Sequence, residues 1–184
     1  MVDDVYHPTK FTTLKWPEGT LSEYERAYSV GLCNGLACFK VVTLTRKTRV
    51  ISKSPGVNLL LICNPSMRTL KKISSPFDTE HDDTDYLNGF GYDTVHDNYK
   101  IVVTSKRIKK GNVREMHIYS LMSDSWRCVT PTPSPSSSWN RDFLGRIVFG
   151  NNMLHYVAKS ERVKCDGNEY RMARFDMSLD RWMD

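Results

Sequence analysis

Short apolar runs, each bounded by polar and turn-forming residues, dominate this chain. Leu36 to Leu44, Asn58 to Cys63 and Tyr99 to Thr104 are rich in β-branched or aromatic residues and are flanked by Gly, Pro, Asn or Asp. Met116 to Tyr119, Arg146 to Phe149 and Met153 to Ala158 have the same character. Runs this short with such boundaries predict β-strands. Helical spacing is hinted at only in Leu21 to Val30, a stretch too short and polar to carry a helical fold. An all-β domain is expected.

The strands recur with a period. Ile62 to Leu70 reappears as Ile118 to Trp126 and again as Arg174 to Trp182, at steps of 56 residues. Each copy reads as a strand, a polar turn opened by Asn64, Ser120 or Asp176, and a strand closed by Leu70, Trp126 or Trp182. The side chain at the opening position can hydrogen-bond its own backbone, and Pro65 presets the next φ. Asn34-Gly35 and Asn151-Asn152 fall in the other half of the repeat and suit hairpin turns that need positive φ. Each repeat then holds two hairpins, or four strands, which is one blade of a propeller. The expected fold is all-β, with blade-like antiparallel repeats of an incomplete β-propeller, and its terminal strand edges are open to pairing.

Composition narrows the function classes. At 184 residues the chain can bury one core, and 40% hydrophobic with 26% charged residues is an ordinary globular balance. No apolar run approaches the roughly 20 residues that span a bilayer, and the N-terminus is not a secretory signal. A cytoplasmic or nuclear protein without membrane contact is expected. Five cysteines, an odd number, argue against a disulfide framework. Cys33 and Cys38 could offer half a zinc site, but nothing supplies the other half. Cys38, Cys63 and Cys128 lie in apolar runs and read as small core residues. The histidines His7, His81, His96, His117 and His155 are scattered, and no nucleophile signature is present. A non-catalytic chain with no metal or cofactor is expected.

The net charge of +5 is unevenly placed. Lys40 to Lys53 and Lys100 to Arg114 are basic, whereas Asp78, Glu80, Asp82, Asp83 and Asp85 form an acidic run. Such runs between apolar strands read as solvated loops. Thr130 to Asn140 is rich in Pro and Ser and reads as an extended loop. Gly31, Gly35, Gly89 and Gly91 read as positions of unusual backbone angle or close strand approach. Tyr92, Tyr99, Trp126 and Trp182 read as blade core, and Asp93 and Asp97 as groups bonding their own turn.

At Gly31-Leu32-Cys33-Asn34-Gly35-Leu36, then Asn64-Pro65-Ser66 with Arg68, then Gly89-Phe90-Gly91-Tyr92-Asp93 and Asp97-Asn98-Tyr99-Lys100, the chain resembles the F-box-associated domain of plant F-box proteins, including the kelch-like and S-locus groups. Ile118-Tyr119-Ser120-Leu121 with Ser125-Trp126-Arg127 matches a third signature, and Gly150 to Tyr156 with Arg174-Phe175-Asp176 a fourth. The resemblance runs from about Val30 to Asp184, with residues 1–29 as an N-terminal segment in which no Leu-Pro-rich F-box is evident. It implies a β-propeller-like module that recruits a target protein to an SCF-type ubiquitin ligase. A Skp-type adaptor would be a partner only through an F-box outside this chain. Three repeats are fewer than the about four to eight that close a propeller, so truncation at the C-terminus is expected.

Protein recognition through loops on a rigid scaffold is the function expected. The candidate contacts are Arg46, Lys47 and Arg49 in one basic segment, Asp82, Asp83 and Asp85 in the acidic one, and Arg107, Lys109 and Lys110 in the other. Trp139, in an otherwise polar loop, is the candidate aromatic anchor. The rival readings are a nucleic-acid-binding β-domain using its basic loops, and a non-functional fragment without a ligase connection. Against nucleic acid, the basic segments lack interleaved aromatics for base stacking.

Overall fold

The computed structural model describes residues 20–21, 25–43, 57–76, 87–104, 116–129, 147–159 and 170–183. Those residues form three four-stranded antiparallel sheets, each a meander in chain order. Blade 1 holds β1 (Glu25–Cys33), β2 (Leu36–Thr43), β3 (Val57–Asn64) and β4 (Thr69–Ser74). Blade 2 holds β5 (Leu87–Asp93), β6 (Asn98–Thr104), β7 (Met116–Ser120) and β8 (Ser125–Val129). Blade 3 holds β9 (Val148–Gly150), β10 (Met153–Lys159), β11 (Tyr170–Asp176) and β12 (Arg181–Met183). The all-β, blade-like expectation is met, with two hairpins per repeat.

The hint of a helix at Leu21 to Val30 has a local cause. Glu25–Cys33 is a strand, and the pairing with β2 slips between Ser29 and Gly31, leaving Val30 as the extra residue of a bulge. The bulge breaks the two-residue alternation of a strand. Ala27, Val30 and Cys33, the inward positions, are therefore three apart and imitate a helical stripe.

The turns follow their side chains. Asn34 and Gly35 have φ of 47° and 79°, and Asn151 and Asn152 have 51° and 62°, so both two-residue turns have the left-handed geometry that matches strand twist. The repeated motif makes the second hairpin of every blade. There Asn64 Oδ1 accepts the amides of Ser66 and Met67, each at 3.1 Å. Asp176 Oδ1 accepts those of Ser178 and Leu179 at 2.8 and 3.0 Å, and Ser120 Oγ accepts that of Ser123 at 3.2 Å. Each of these turns closes on a left-handed residue, Arg68, Asp124 or Asp180. Asp93 opens a fourth turn of this kind, between β5 and β6, which closes on Asp97.

Stacking of the blades makes the core. One face of blade 2 packs Phe90, Ile101, Val103 and Tyr119 against Cys38, Leu60, Ile62 and Ile73 of blade 1. Its other face packs Val102, Met116 and Ile118 against Leu154, Tyr156, Ala173 and Phe175 of blade 3. Full burial of each large side chain contributes about 1.5–3 kcal/mol relative to exposure. Aromatic pairs face the preceding blade at equivalent register: Tyr119 lies 5.2 Å from Trp126, and Phe175 5.5 Å from Trp182. Trp126 also donates its indole N–H to the Ser74 carbonyl at 2.9 Å, joining β8 to the outer strand of blade 1.

The first strands of the three blades, β1, β5 and β9, touch one another at the centre. This approach requires bare backbone on β5. A Cβ on Gly89 would stand 2.6 Å from Leu154 Cδ1, and one on Gly91 2.4 Å from the Phe149 ring. Leu154 is fully buried and has nowhere to retreat. Gly89→Val should therefore destabilise the domain by about 1–3 kcal/mol, read as a lowered denaturation midpoint. Gly150→Ala, which meets nothing within 4 Å, should stay within about 0.5 kcal/mol of the parent. Equal effects would show that the central strands are not packed as described.

Candidate partner-binding surfaces

Because each blade is a meander, its two tight turns leave from one end of the sheet and its longer connection from the other. Bonds between turns of different blades set the three turn ends side by side. Tyr99 of blade 2 reaches the Asn34 carbonyl of blade 1 at 3.5 Å, and the Thr94 amide donates to Asn152 Oδ1 of blade 3 at 2.9 Å. The molecule accordingly has a turn end and a loop end.

A buried polar cluster holds the turn end together between blades 2 and 3. Lys100 lies on β6, on the face that meets blade 3, and its ammonium is 2.7 Å from Asp93 Oδ2. It also donates to the Met177 carbonyl at 2.6 Å and to both oxygens of Asp180 at 3.0 and 3.2 Å. Ser178 donates to Asp93 Oδ1 at 3.0 Å, the Asn152 side-chain amide donates to Ser178, and Arg127 pairs with Asp180. His96 Nδ1 sits 2.7 Å from Asp93 Oδ2. Burial alone would push the Asp93 carboxyl up. The Lys100 ammonium, His96 and Ser178 outweigh it and hold the group well below the usual carboxylate range. In this cluster Asp, His and Ser converge, but the Ser178 hydroxyl is spent on the carboxylate, and the arrangement serves to tie three turns of two blades.

A lighter version joins blades 1 and 2. Lys71 meets Asp124 at 2.9 Å, and the Tyr119 hydroxyl donates to the same carboxylate. Lys71 and Asp124 stand one step of 56 residues before Arg127 and Asp180, so the ion pair repeats with the blades. Here Asp124 is exposed and Lys71 half-buried.

Around these bonds the turn tips are apolar. Leu32, Met67, Val95, Met122 and Leu179 are all exposed, one beside or within each of five turns. The opening residues of these turns are polar, as the sequence predicts, but they give no sign of the apolar tips. Lys100, expected in a solvated basic run, is instead buried and paired. The signal was available: a lone Lys inside Tyr99 to Thr104 sits at an inward position of the alternation, where a charge needs a partner. Asp93 does bond its own turn, as expected, but its second oxygen serves the other blade. Asp97 accepts the Tyr92 hydroxyl. Cys128 is exposed, not core, because it lies on β8, the edge strand of blade 2, none of whose residues is buried. Cys38 and Cys63 are buried as expected, and burial pushes both thiols up.

The candidate contacts named from the sequence fall in the connections between described strands. Arg46, Lys47 and Arg49 fall between β2 and β3, and Asp82, Asp83 and Asp85 between β4 and β5. Arg107, Lys109 and Lys110 fall between β6 and β7, and Trp139 between β8 and β9. All ten lie outside the described residues. What the structure supplies is their anchorage, strand ends that sit opposite the turn end of each blade.

Comparison with known proteins matches residues 23–184 to the F-box associated beta propeller domain. The chain is 29% identical over 154 residues to an F-box/kelch-repeat protein of Arabidopsis thaliana, covering 83% of this chain and 36% of that protein. It is 30% identical over 120 residues to a second protein of the same plant, also named for an F-box, covering 65% of this chain and 28% of that one. The chain thus spans about a third of the length of the curated relatives it matches.

The cluster gives a stability test. Lys100→Met removes the buried cation between two carboxylates and should cost about 3–5 kcal/mol, while Lys71→Met at the more exposed pair should cost far less. The depressed Asp93 carboxyl contributes stability that is complete above the ordinary carboxylate pKa of about 3.9. That contribution is lost as pH falls below it toward the folded-state value, because the unfolded chain takes up the proton first. Denaturation curves from pH 7 downward should show this acid decline, and Asp93→Asn should be less stable at pH 7 with a shallower decline. A decline of unchanged slope in Asp93→Asn would remove Asp93 as its source.

Proposed function

Since the chain belongs to the family of F-box associated β-propeller domains, we propose that it is the target-binding module of an F-box protein. In this reading it captures a protein for ubiquitination by an SCF-type ligase and performs no chemistry itself. Contact with a Skp-type adaptor is made by an F-box outside this chain. The observation that carries the reading is the family match over residues 23–184, together with two relatives that are both named for an F-box. The blade architecture supports it, because specificity on many rigid repeat scaffolds resides in the connecting loops. Free thiols at Cys33, Cys38, Cys63 and Cys128 favour a reducing compartment, the cytoplasm or nucleus. Of the basic segments behind the nucleic-acid reading, Lys100 is engaged with carboxylates.

Target choice in this reading is electrostatic. The basic segment with Arg46, Lys47 and Arg49, the acidic one with Asp82, Asp83 and Asp85, and the basic one with Arg107, Lys109 and Lys110 set partner identity and on-rate, and Trp139 anchors the contact. Proximity labelling in plant cells should enrich a protein that accumulates when the proteasome is inhibited. Replacing Arg46, Lys47 and Arg49 by Glu should abolish that enrichment while the circular dichroism and melting curve stay unchanged. Enrichment that survives the reversal would remove the basic segment from target choice, and labelling with no proteasome-sensitive partner would overturn the ligase reading.

A further inference from the structure

The turn between β5 and β6 holds an exposed imidazole in one fixed state. Asp93 Oδ1 accepts the amides of Val95 and His96 at 3.0 and 3.2 Å and the Ser178 hydroxyl at 3.0 Å. Its Oδ2 meets the Lys100 ammonium and His96 Nδ1, each at 2.7 Å. These donors keep the carboxyl ionised although it is wholly buried. An ionised carboxylate can only accept hydrogen bonds, so His96 Nδ1 carries the proton. In the neutral ring Nε2 is then the bare nitrogen, an acceptor. The His96 side chain is 61% exposed, so this acceptor is presented to a partner.

The groups around His96 select what it meets. Asp97, next along the chain, is exposed and accepts the Tyr92 hydroxyl through one oxygen. The cations that blade 2 brings to this end, Lys100 and Arg127, are engaged with Asp93 and Asp180. From blade 3, Asp176 is turned to the amides of Ser178 and Leu179. Val95 is 70% exposed, and Leu179, the neighbour of the Ser178 that reaches Asp93, is 54% exposed. Blades stack through their faces, so another blade does not cover the ends of these turns. A partner therefore meets two adjacent acceptors flanked by apolar side chains. A guanidinium suits that setting, because it donates through a planar fork and carries an aliphatic stem. We propose that the turn end of blades 2 and 3 binds an Arg-bearing, otherwise apolar segment of a partner protein. The guanidinium donates to His96 Nε2 and to Asp97, and the apolar neighbours of the Arg cover Val95 and Leu179. Asp93 acts through His96 as a positioning residue. This contact does not depend on the ligase reading and is additional to whatever the connecting loops select.

Nuclear magnetic resonance of the whole chain, labelled at its histidine ring nitrogens and its Val and Leu methyl groups, provides the test. At a pH of about 8, above the ordinary histidine value of about 6.5, His96 should read as the tautomer protonated on Nδ1. The chain is then titrated with an acetylated, amidated peptide of alternating Leu and Arg, and with the Glu-for-Arg counterpart. The Arg peptide should move His96 Nε2 and the methyls of Val95 and Leu179, and leave His155, which faces the Gly150 carbonyl at 3.2 Å, unmoved. His96→Ala, a change at an exposed position, should weaken binding roughly tenfold or more in a folded chain. Asp97→Asn, which can keep the Tyr92 bond and the turn, should weaken it as well. A ring protonated on Nε2, equal binding of the Glu peptide, no binding of the Arg peptide, or binding unchanged in His96→Ala overturns the proposal. So do methyl shifts confined to Leu32, which would place the peptide on blade 1.

Discussion

A four-stranded sheet has two broad faces and no interior of its own, and that constraint governs this molecule. Blade 2 meets it on both sides, with Tyr119 and Ile101 against blade 1 and Val102 and Ile118 against blade 3. Removing either neighbour would return an apolar face to water, at about 25 cal/mol for each Å² exposed. The close central approach of β1, β5 and β9 follows from the same need, and it explains why the innermost strand of blade 2 has glycine at positions 89 and 91.

Polar bonds then fix how the apolar faces align. Hydrophobic burial has no direction, so two sheets could slide along each other at little cost. The repeated pair, Lys71 with Asp124 and Arg127 with Asp180, sets one register per interface. Between blades 2 and 3 the addition of Lys100 and Asp93 moves the contact from surface to interior. There a misplaced charge is severely penalised, and the alignment becomes stricter. One interface is thus held by packing with a light ionic guide, and the other by packing with a buried lock.

The parts of the fold that were legible in the sequence are those ruled by local chemistry. Asn34-Gly35 and Asn151-Asn152 adopt positive φ because their side chains tolerate it, and Asn64, Ser120 and Asp176 bond amides within three residues. Their equal spacing was enough to count the blades, and the motifs around them were enough to reach the family. Less legible was anything set by distant neighbours. The bulge at Val30 disguised β1, and Lys100 looked like part of a loop because its partners lie as far along the chain as Asp180. The exposed tips Met67, Val95, Met122 and Leu179 were hidden for a related reason, since turn chemistry says what a turn can do and not which side chain it leaves in water.

The sequence by itself determined the strand and turn pattern, the number of blades and the family, since each rests on residues close together or on a repeated spacing. It also marked the charged and aromatic connections from Arg46 to Trp139 as the places to look for a target. Only the tertiary structure decided which face of each blade is covered. It turned Lys100 inward to Asp93 and Asp180 and left Met172 outward on blade 3, although Met116 and Leu60 hold the equivalent place and are buried. The reason is that exposure is a property of neighbours: the same strand position is core where another blade covers it and exposed where none of the described residues does.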